Sequence, residues 1–492
     1  MNRLARMMAL TLALLCLFTI GAGAAVARLM PHRLALFQLP SVAGRALARP
    51  ETVLREATGS PSPGAAGGAD SGVATAAGVT AKLDGLVTSG SLGPRVGALV
   101  ADLSTGQVLY QQDAAGRFAP ASTTKIATAV AALETLGPQA RFSTRVLAGG
   151  KSGSGGEQIV LAGGGDPTLA VHPYPDGDYP RPATLSALAA ATARALRAKG
   201  VGSVTLRYDA SLFGGPAVAR GWKPLGAPGN YVSTGNATPI TGLEVDQGRL
   251  TAHGTPQDSD DAANFRPRSL TPSHDAARAF AALLRKDGIT VAGKPSAGRA
   301  PHAARVLALV LSPVLAAIVQ QMLTESNNVI AETLARHVAI ATGRPGTFAG
   351  AAAGVMAVAA RLKVHGLRLY DGSGLSPMDR ISPEALVSLI GLAARSGAGL
   401  RPVLTGMPVA GFSGTLGPGS FFGPFGRAGL GMVRAKTGNL THVATMAGVA
   451  TTANGQLLAF AFMGNDIPVR LGGKPESTLA QLATALAGCG CG

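Results

Sequence analysis

The sequence predicts a mixed α/β fold of the α+β kind, in which helices flank an antiparallel sheet. Residues 96–103 and 108–112 are rich in strand-forming side chains on either side of a Ser-Thr-Gly turn, which predicts a strand–turn–strand hairpin. Residues 446–450 and 457–463 predict a second hairpin, and a further strand enters at 433–435. Helical patterns follow the first hairpin and precede the second.

Three helices are predicted around the residues that carry the chemistry. Pro120 is permitted in a first helical turn and Gly137 is a stop signal, so the apolar run between them predicts one helix. Residues 312–323 form an amphipathic pattern, and residues 328–337 continue as a second helical pattern. Ser326 is therefore expected in a turn between two helices.

The chain is predicted to fold in several parts, because 492 residues are too many for one ordinary core. A single cleft that presents both Ser122 and Ser326 does not need the long connection between them. The predicted catalytic domain is therefore discontinuous, with residues 77–145 and 305–488 on either side of inserted subdomains at 146–304. Short β-rich runs with Gly and Pro punctuation predict that the insertion contains strands.

Residues 1–27 predict an export signal, in which two arginines precede an uncharged run from Met7 to Ala27. Cleavage after Ala24 would release the protein, whereas the uncleaved run is long enough to anchor it in a membrane. Residues 28–76 follow as a linker, whose Gly-, Ser- and Pro-rich second half lacks the apolar content to pack. We therefore expect the protein in the cell envelope outside the cytoplasm, secreted or tethered by an N-terminal signal anchor.

Three short motifs occur in a fixed order: S-x-x-K at Ser122–Lys125, S-x-N at Ser326–Asn328 and K-T-G at Lys436–Gly438. Each is weak alone and each occurs once in the chain. Together they are typical of an active-site-serine acyl transferase that uses lysine as its base. The combination, rather than any single motif, predicts the chemistry.

The chemistry requires these residue types. A serine hydroxyl is a weak nucleophile and needs an adjacent base. Positions i and i+3 of a helix share a face, so Ser122 and Lys125 are expected to point the same way, with Ser122 in the first turn where free N–H groups favour an oxyanion. Lys125 can act as a base if burial and a second cation, for which Lys436 is the candidate, lower its pKa. The alternative for S-x-x-K alone is an ordinary helix start with a solvated lysine.

The motifs and the segments between them resemble the penicillin-binding proteins, and among these the D-alanyl-D-alanine carboxypeptidase/endopeptidases with a large insertion in the transpeptidase-type domain (low-molecular-mass class C). The resemblance covers residues 77–486. Besides the three motifs, it rests on Gly164–Leu169, Asp209–Phe213 with Trp222, Gly288–Gly293, the full segment Ser326–Leu334, Asp371–Ser376, Gly414–Leu416 and Val433–Gly438. It implies a serine β-lactamase/penicillin-binding transpeptidase-like domain with inserted β-rich subdomains.

The resemblance implies five catalytic residues: Ser122, Lys125, Ser326, Asn328 and Lys436. Ser326 is expected to relay a proton between the base and the leaving amine. Asn328 is expected to hold Lys125 and the substrate amide by hydrogen bonds. Simple helix capping is the alternative for Ser326 and Asn328 when each is considered alone.

Three residues are expected to bind substrate: Thr437, Gly438 and Asn439. Lys436 and Thr437 suit a terminal carboxylate, Gly438 allows close approach of the strand backbone, and the N–H of Asn439 would be a second oxyanion donor. Asn439 stands where Thr or Ser is more usual, and His442 replaces a small residue. These departures bear on substrate preference rather than on the class of reaction.

Other function classes find little support in the sequence. The eight histidines are scattered and no H-E-x-x-H occurs, so neither a metal nor another cofactor is expected. The net charge of +17 is dispersed and aromatic residues make up only 4%, which argues against a nucleic-acid partner. Cys16 lies in the signal while Cys489 and Cys491 lie in the tail, so the core is expected to lack cysteine.

The sequence thus predicts an exported serine D-Ala-D-Ala carboxypeptidase, with endopeptidase activity left open, that trims peptidoglycan stem peptides through an acyl-enzyme on Ser122. β-Lactam antibiotics are expected to acylate the same serine and inhibit the enzyme. Two alternatives are a β-lactamase-like hydrolase and a catalytically degenerate envelope-binding scaffold. The long insertion argues against the first, and the intact motif residues argue against the second.

Overall fold

The computed structural model describes residues 73–151, 156–174, 179–250, 268–422 and 427–490, all of which belong to one compact unit, Ala69–Gly492. The predicted signal segment and nearly all of the predicted linker lie outside the described residues. In chain order the helices and strands are α1 (Ala76–Val87), β1 (Arg95–Asp102), β2 (Val108–Gln112), α2 (Thr124–Leu136), β3 (Ser143–Lys151), β4 (Glu157–Ala162), α3 (Leu185–Arg197), β5 (Ser203–Asp209), α4 (Pro272–Lys286), β6 (Thr290–Ala297), β7 (Val306–Leu311), α5 (Leu315–Thr324), α6 (Asn328–Ala341), α7 (Phe348–Arg361), α8 (Pro383–Arg395), α9 (Arg401–Thr405), β8 (Val433–Leu440), β9 (Val443–Thr451), β10 (Leu457–Asn465) and α10 (Lys474–Ala487).

The first sheet is antiparallel and has the strand order β2-β1-β10-β9-β8. Successive side chains of a strand point to opposite faces, so the sheet separates two cores. Leu99 and Ala101 of β1 face the core formed with α2 and α5 to α8. Ala98 and Val100 face the core formed with α1 and α10. This is the predicted penicillin-binding transpeptidase-like layer structure, with helices on both faces of an antiparallel sheet.

The second sheet has the order β6-β5-β4-β3-β7 and is mixed. Strands β4, β5 and β6 are parallel, whereas β3 pairs with β4 and β7 in antiparallel fashion. Helices α3 and α4 pack on it through a separate apolar core. This sheet is the predicted β-containing insertion. The boundaries 146–304 remain a prediction, and β3 begins before and β7 follows after them.

Most of the predicted local structure is confirmed, with two differences. The hairpins β1–β2 and β9–β10 form as expected, and Gly137 ends α2. Helix α2, however, begins at Thr124, and Ser122 lies in a separate 3-10 turn just before it. The backbone at Ala121 has φ +48°, which interrupts the regular helix on that side.

The second difference concerns cysteine. Cys489 is 1% exposed, packs in the core beside α10 and is disulfide-bonded, so the expectation of a cysteine-free core is wrong. A thiol-derived side chain is apolar enough to pack among aliphatic residues once it is oxidised. Across the part of the chain that the structure describes, no helix is both long and apolar enough to cross a membrane.

Candidate active site

Ser122 and Lys125 face each other as the S-x-x-K spacing predicts. The Nζ atom of Lys125 donates hydrogen bonds to Ser122 Oγ at 2.8 Å, to Asn328 Oδ1 at 2.7 Å and to the carbonyl oxygen of Ser373 at 2.8 Å. Lys125 is completely buried, whereas Ser122 remains half-buried at the surface of the cleft. A buried amine is thus held on the hydroxyl it would deprotonate, which is the geometry of a nucleophile with its base.

Burial sets the protonation of Lys125. It lowers the pKa of this lysine to about 7, because the charged form loses its hydration. The negative charges of Asp371 and Glu332 act in the opposite direction and hold the pKa up. Lys125 is therefore neutral in a large fraction of molecules near pH 7, as a general base must be.

Lys436 is the second buried lysine of the site. It lies on β8, is 0% exposed and donates to the carbonyl of Thr437 at 2.7 Å. Burial, followed by the charge of Lys125, lowers the pKa of Lys436 well below its ordinary range. We expected Lys436 to depress the pKa of Lys125. The structure instead gives burial as the cause at Lys125 and places the effect of the neighbouring cation on Lys436. Since repulsion is mutual, the doubly protonated pair is disfavoured.

The S-x-N motif lies in the turn between α5 and α6. The side chain of Asn327 accepts from Ile330 N at 3.1 Å and caps α6, so the capping role falls to the middle residue. Asn328 is free to bind Lys125 through Oδ1, and its Nδ2 donates to the carbonyl of Asn236 at 2.9 Å. Ser326 has φ +56° and is half-buried. Within the described residues its hydroxyl makes no direct hydrogen bond to Lys125.

The free edge of strand β8 starts at the K-T-G motif. Ala435 N donates to Pro408 O at 3.0 Å and Val433 O accepts from Ala410 N at 2.9 Å, so these residues direct their backbone groups away from β9. Backbone direction alternates along a strand. The N–H groups of Thr437 and Asn439 consequently point to the same edge, beyond the segment that covers it.

Gly438 permits a close contact between this strand and the nucleophile. A Cβ atom at Gly438 would lie 2.7 Å from the carbonyl oxygen of Pro120 and 2.9 Å from Ser122 N, closer than real Cβ contacts allow. Thr445 of β9 fixes the same turn, since its Oγ1 donates to Pro120 O at 2.7 Å. The hydroxyl of Thr437 donates to that of Thr415 at 2.9 Å. The strand therefore presents its backbone, and two paired hydroxyls, beside Ser122.

The loop Asp371–Ser376 was not predicted to take part in the site, and Ser373 was interpreted as a turn residue. Its carbonyl is the third acceptor of Lys125. Glu332 of α6 fixes the loop from behind by accepting from Gly372 N and from Ser373 N, the latter at 2.8 Å. Both residues lie in segments that carry the family resemblance, and this was the only signal in the sequence.

Asp371 anchors the same loop and connects it with the insertion. Its carboxylate accepts from Gly374 N at 2.7 Å, from Ser376 N at 2.6 Å and from Nε1 of Trp222 at 2.8 Å. The hydroxyl of Tyr231 donates to the carbonyl of Leu375 at 2.9 Å. Two aromatic residues of the inserted region therefore hold the loop that holds Lys125.

The acids near Lys125 are themselves perturbed. Burial and the charge of Asp371 raise the pKa of Glu332 to about 8. Burial and Asp371 also raise the pKa of Asp379 well above its ordinary range. These carboxyl groups cannot all be ionised at once in so small a buried volume. Across the described residues, no group of three or more His, Cys, Asp or Glu could hold a metal ion.

Comparison with known proteins agrees with this arrangement. A profile of the D-Ala-D-Ala carboxypeptidase 3 (S13) family matches residues 79–267 and 244–486. A carboxypeptidase of Mycobacterium tuberculosis is 39% identical over 426 residues, which cover 85% of this chain and 85% of that relative. The carboxypeptidase DacB of Mycolicibacterium smegmatis is 35% identical over 397 residues, 80% of each protein.

Solved structures support the fold. Penicillin-binding protein 4 (DacB) of Haemophilus influenzae superimposes with a TM-score of 0.63 at 22% identity, over 83% of this chain and 98% of that one. The same protein in complex with a β-lactam gives a TM-score of 0.57. Fold and sequence together define a serine peptidase with a penicillin-binding architecture. The chain belongs to the D-Ala-D-Ala carboxypeptidase 3 (S13) family.

Proposed function

We propose that this serine-type D-Ala-D-Ala carboxypeptidase trims peptidoglycan stem peptides through an acyl-enzyme on Ser122. The observation that carries the proposal is the buried Lys125, whose amine lies 2.8 Å from Ser122 Oγ and whose pKa is lowered to about 7. No other serine in the described residues accepts a side-chain hydrogen bond from a lysine. The hydroxyl and its base are thus already in place.

In the acylation step, Ser122 Oγ attacks the carbonyl carbon of the penultimate D-Ala while neutral Lys125 takes the hydroxyl proton. The N–H groups of Ser122 and Asn439 stabilise the oxyanion that forms. The amide C–N bond then breaks, and the leaving D-Ala amine receives a proton through Ser326. Asn328 keeps Lys125 oriented through its Oδ1 atom. The products are an ester on Ser122 and free D-Ala.

Water completes the reaction. Lys125, neutral again, accepts a proton from a water molecule that attacks the ester carbonyl in the same oxyanion site. The C–O bond to Ser122 breaks and the hydroxyl recovers its proton. The shortened stem peptide leaves with a new terminal carboxylate.

The terminal carboxylate of the substrate is proposed to bind at Lys436, Thr437 and Gly438. Lys436 offers a buried cation, and Thr437 offers a hydroxyl paired with that of Thr415 at the start of the free edge. A charge-assisted hydrogen bond is roughly twice as strong as a neutral one, so this site favours substrates that end in a free carboxylate. Asn439 then contributes its backbone rather than a hydroxyl.

Family members act on peptidoglycan in the cell envelope, and penicillin-binding proteins bind β-lactams. We extend both properties to this chain: it acts outside the cytoplasm, and β-lactams acylate Ser122. Attachment to the membrane through the uncleaved segment Met7–Ala27 is a further part of the proposal, which the export signal in the sequence supports.

The proposal is tested by mixing the enzyme with an N-acylated peptide that ends in D-Ala-D-Ala and measuring released D-Ala. Rapid quenching followed by mass spectrometry should show a mass gain equal to the acyl part of the peptide on the wild type. Ser122→Ala should release no D-Ala and gain no mass. Release of D-Ala by a folded Ser122→Ala variant would overturn the assignment of the nucleophile.

A further inference from the structure

A cavity of about 220 Å³ lies beside Thr437 and Asn439, on the face of the sheet that packs against α10. Its walls are mainly apolar and come from Leu416, Phe421, Phe422, Met446 and Leu479. The hydroxyls of Thr437 and Thr415 stand at its border. The acyl-transfer chemistry described above uses none of the apolar residues of this cavity.

One charged residue lines the cavity. Glu476 lies in the first turn of α10 and is half-buried. Its Oε2 atom is shielded from solvent and accepts no hydrogen bond from any residue that the structure describes. A shielded carboxylate oxygen without a donor is costly, and a cationic or N–H group in the cavity would remove that cost.

The position of the cavity identifies the part of the substrate that reaches it. Segment 408–410 covers the edge of β8 as far as Ala435, so substrate has access from Thr437 onwards. Thr437 and Thr415 are the proposed contacts of the terminal carboxylate, which belongs to the leaving residue. A leaving D-Ala carries only a methyl group, and one methyl group fills a small part of this volume.

We propose that the cavity holds the side chain of a leaving residue longer than D-Ala, namely a D-configured residue with an aliphatic stem and a terminal amine. The stem would pack against Leu416, Met446 and Leu479, and the ammonium or amide N–H group would bind Glu476. The bond changes are those of the acylation step, with the longer residue departing as the free amine. The inference rests on the proposed function and names a second substrate class for the same site.

Three peptides with one acyl part and different leaving residues test it: D-Ala, D-lysine and D-norleucine. D-Norleucine matches the D-lysine stem without the charge. In the wild type, kcat/KM for the D-lysine peptide should exceed that for the D-norleucine peptide by about tenfold, a typical value for one charge-assisted contact. Glu476→Gln should reduce this ratio to about one and leave D-Ala release unchanged.

Glu384 provides a matched control, because it is also a first-turn glutamate, on α8, but is exposed and does not line the cavity. Glu384→Gln should keep the wild-type ratio. Equal kcat/KM for D-lysine and D-norleucine in a wild type that releases D-Ala would overturn the inference. A proportional loss on all three peptides in Glu476→Gln would also overturn it, since Glu476 would then only support the fold. Failure to cleave any peptide and to acylate Ser122 would instead refute the proposed function.

Discussion

The inserted region should control acylation through a single hydrogen bond from Trp222. The indole Nε1 of Trp222 donates to Asp371 at 2.8 Å, and Asp371 anchors the loop whose Ser373 carbonyl accepts from Lys125. Trp222→Phe removes the donor and keeps an aromatic ring between Tyr231 and Phe348, which both pack against it edge-on. The perturbation is therefore confined to the connection between the insertion and the loop.

The structure allows the magnitude to be worked out. A hydrogen bond to a charged group contributes about 1.5–3 kcal/mol, and its loss leaves a buried carboxylate with one donor fewer. If that loss falls on the arrangement of the loop, acylation slows by about 10- to 100-fold, since about 1.4 kcal/mol is a factor of ten in rate. Tyr231→Phe is the matched control. It removes a neutral hydrogen bond to Leu375, worth about 1 kcal/mol, so the rate should fall by less than tenfold.

The assay is the second-order rate of acylation by a fluorescent β-lactam, measured on variants with wild-type circular dichroism and thermal midpoint. Such a measurement isolates the step in which Lys125 takes the proton from Ser122. Wild-type acylation in a folded Trp222→Phe variant would refute the reasoning. So would a larger loss in Tyr231→Phe than in Trp222→Phe, because the carboxylate contact would then not be the important one.

Three further predictions concern the lysines and their surroundings. Because protonated Lys125 cannot accept a proton, kcat/KM should fall as the pH drops below about 7, and Asp371→Asn should move this limb to lower pH by removing an anion that holds the pKa up; a pH–rate profile unchanged in a folded Asp371→Asn variant would contradict the electrostatic account. Lys125→Ala should slow acylation by about 10²–10⁴-fold, the usual contribution of a positioned base, and near wild-type labelling of the folded variant would mean that another group takes the serine proton. Lys436→Ala should reduce kcat/KM for a D-Ala-D-Ala peptide strongly and for its C-terminal amide less, whereas an equal loss on both substrates would remove the carboxylate-binding role and leave only an effect on the catalytic lysine.

The motifs of the site could be predicted from the sequence because their spacing is local. Ser122 and Lys125 are three residues apart, so one helical turn is enough to bring them together. The pairing of Asn328 with Lys125 required the resemblance as well, since these residues are distant in the chain. The hairpins were predictable because strand-forming residues flank short turns.

The remaining contacts depend on tertiary structure and have no signature in the residue pattern. Ser373 contributes a backbone carbonyl, which every residue possesses. Its position is set by Glu332 and Asp371, whose backbone donors come from a distant loop. Asn236 likewise uses its carbonyl to hold Asn328. Helix α2 starts two residues later than Ser122 because Ala121 adopts a positive φ, which composition alone does not predict.

The central claim is that Ser122 is the nucleophile that forms the acyl-enzyme, and covalent labelling tests it most directly. The protein is incubated with a fluorescent penicillin, digested, and the labelled residue is located by mass spectrometry. The account predicts a stable label on Ser122 in the wild type and no label in Ser122→Ala. A stable label on any other serine, or labelling that persists in Ser122→Ala, would contradict it.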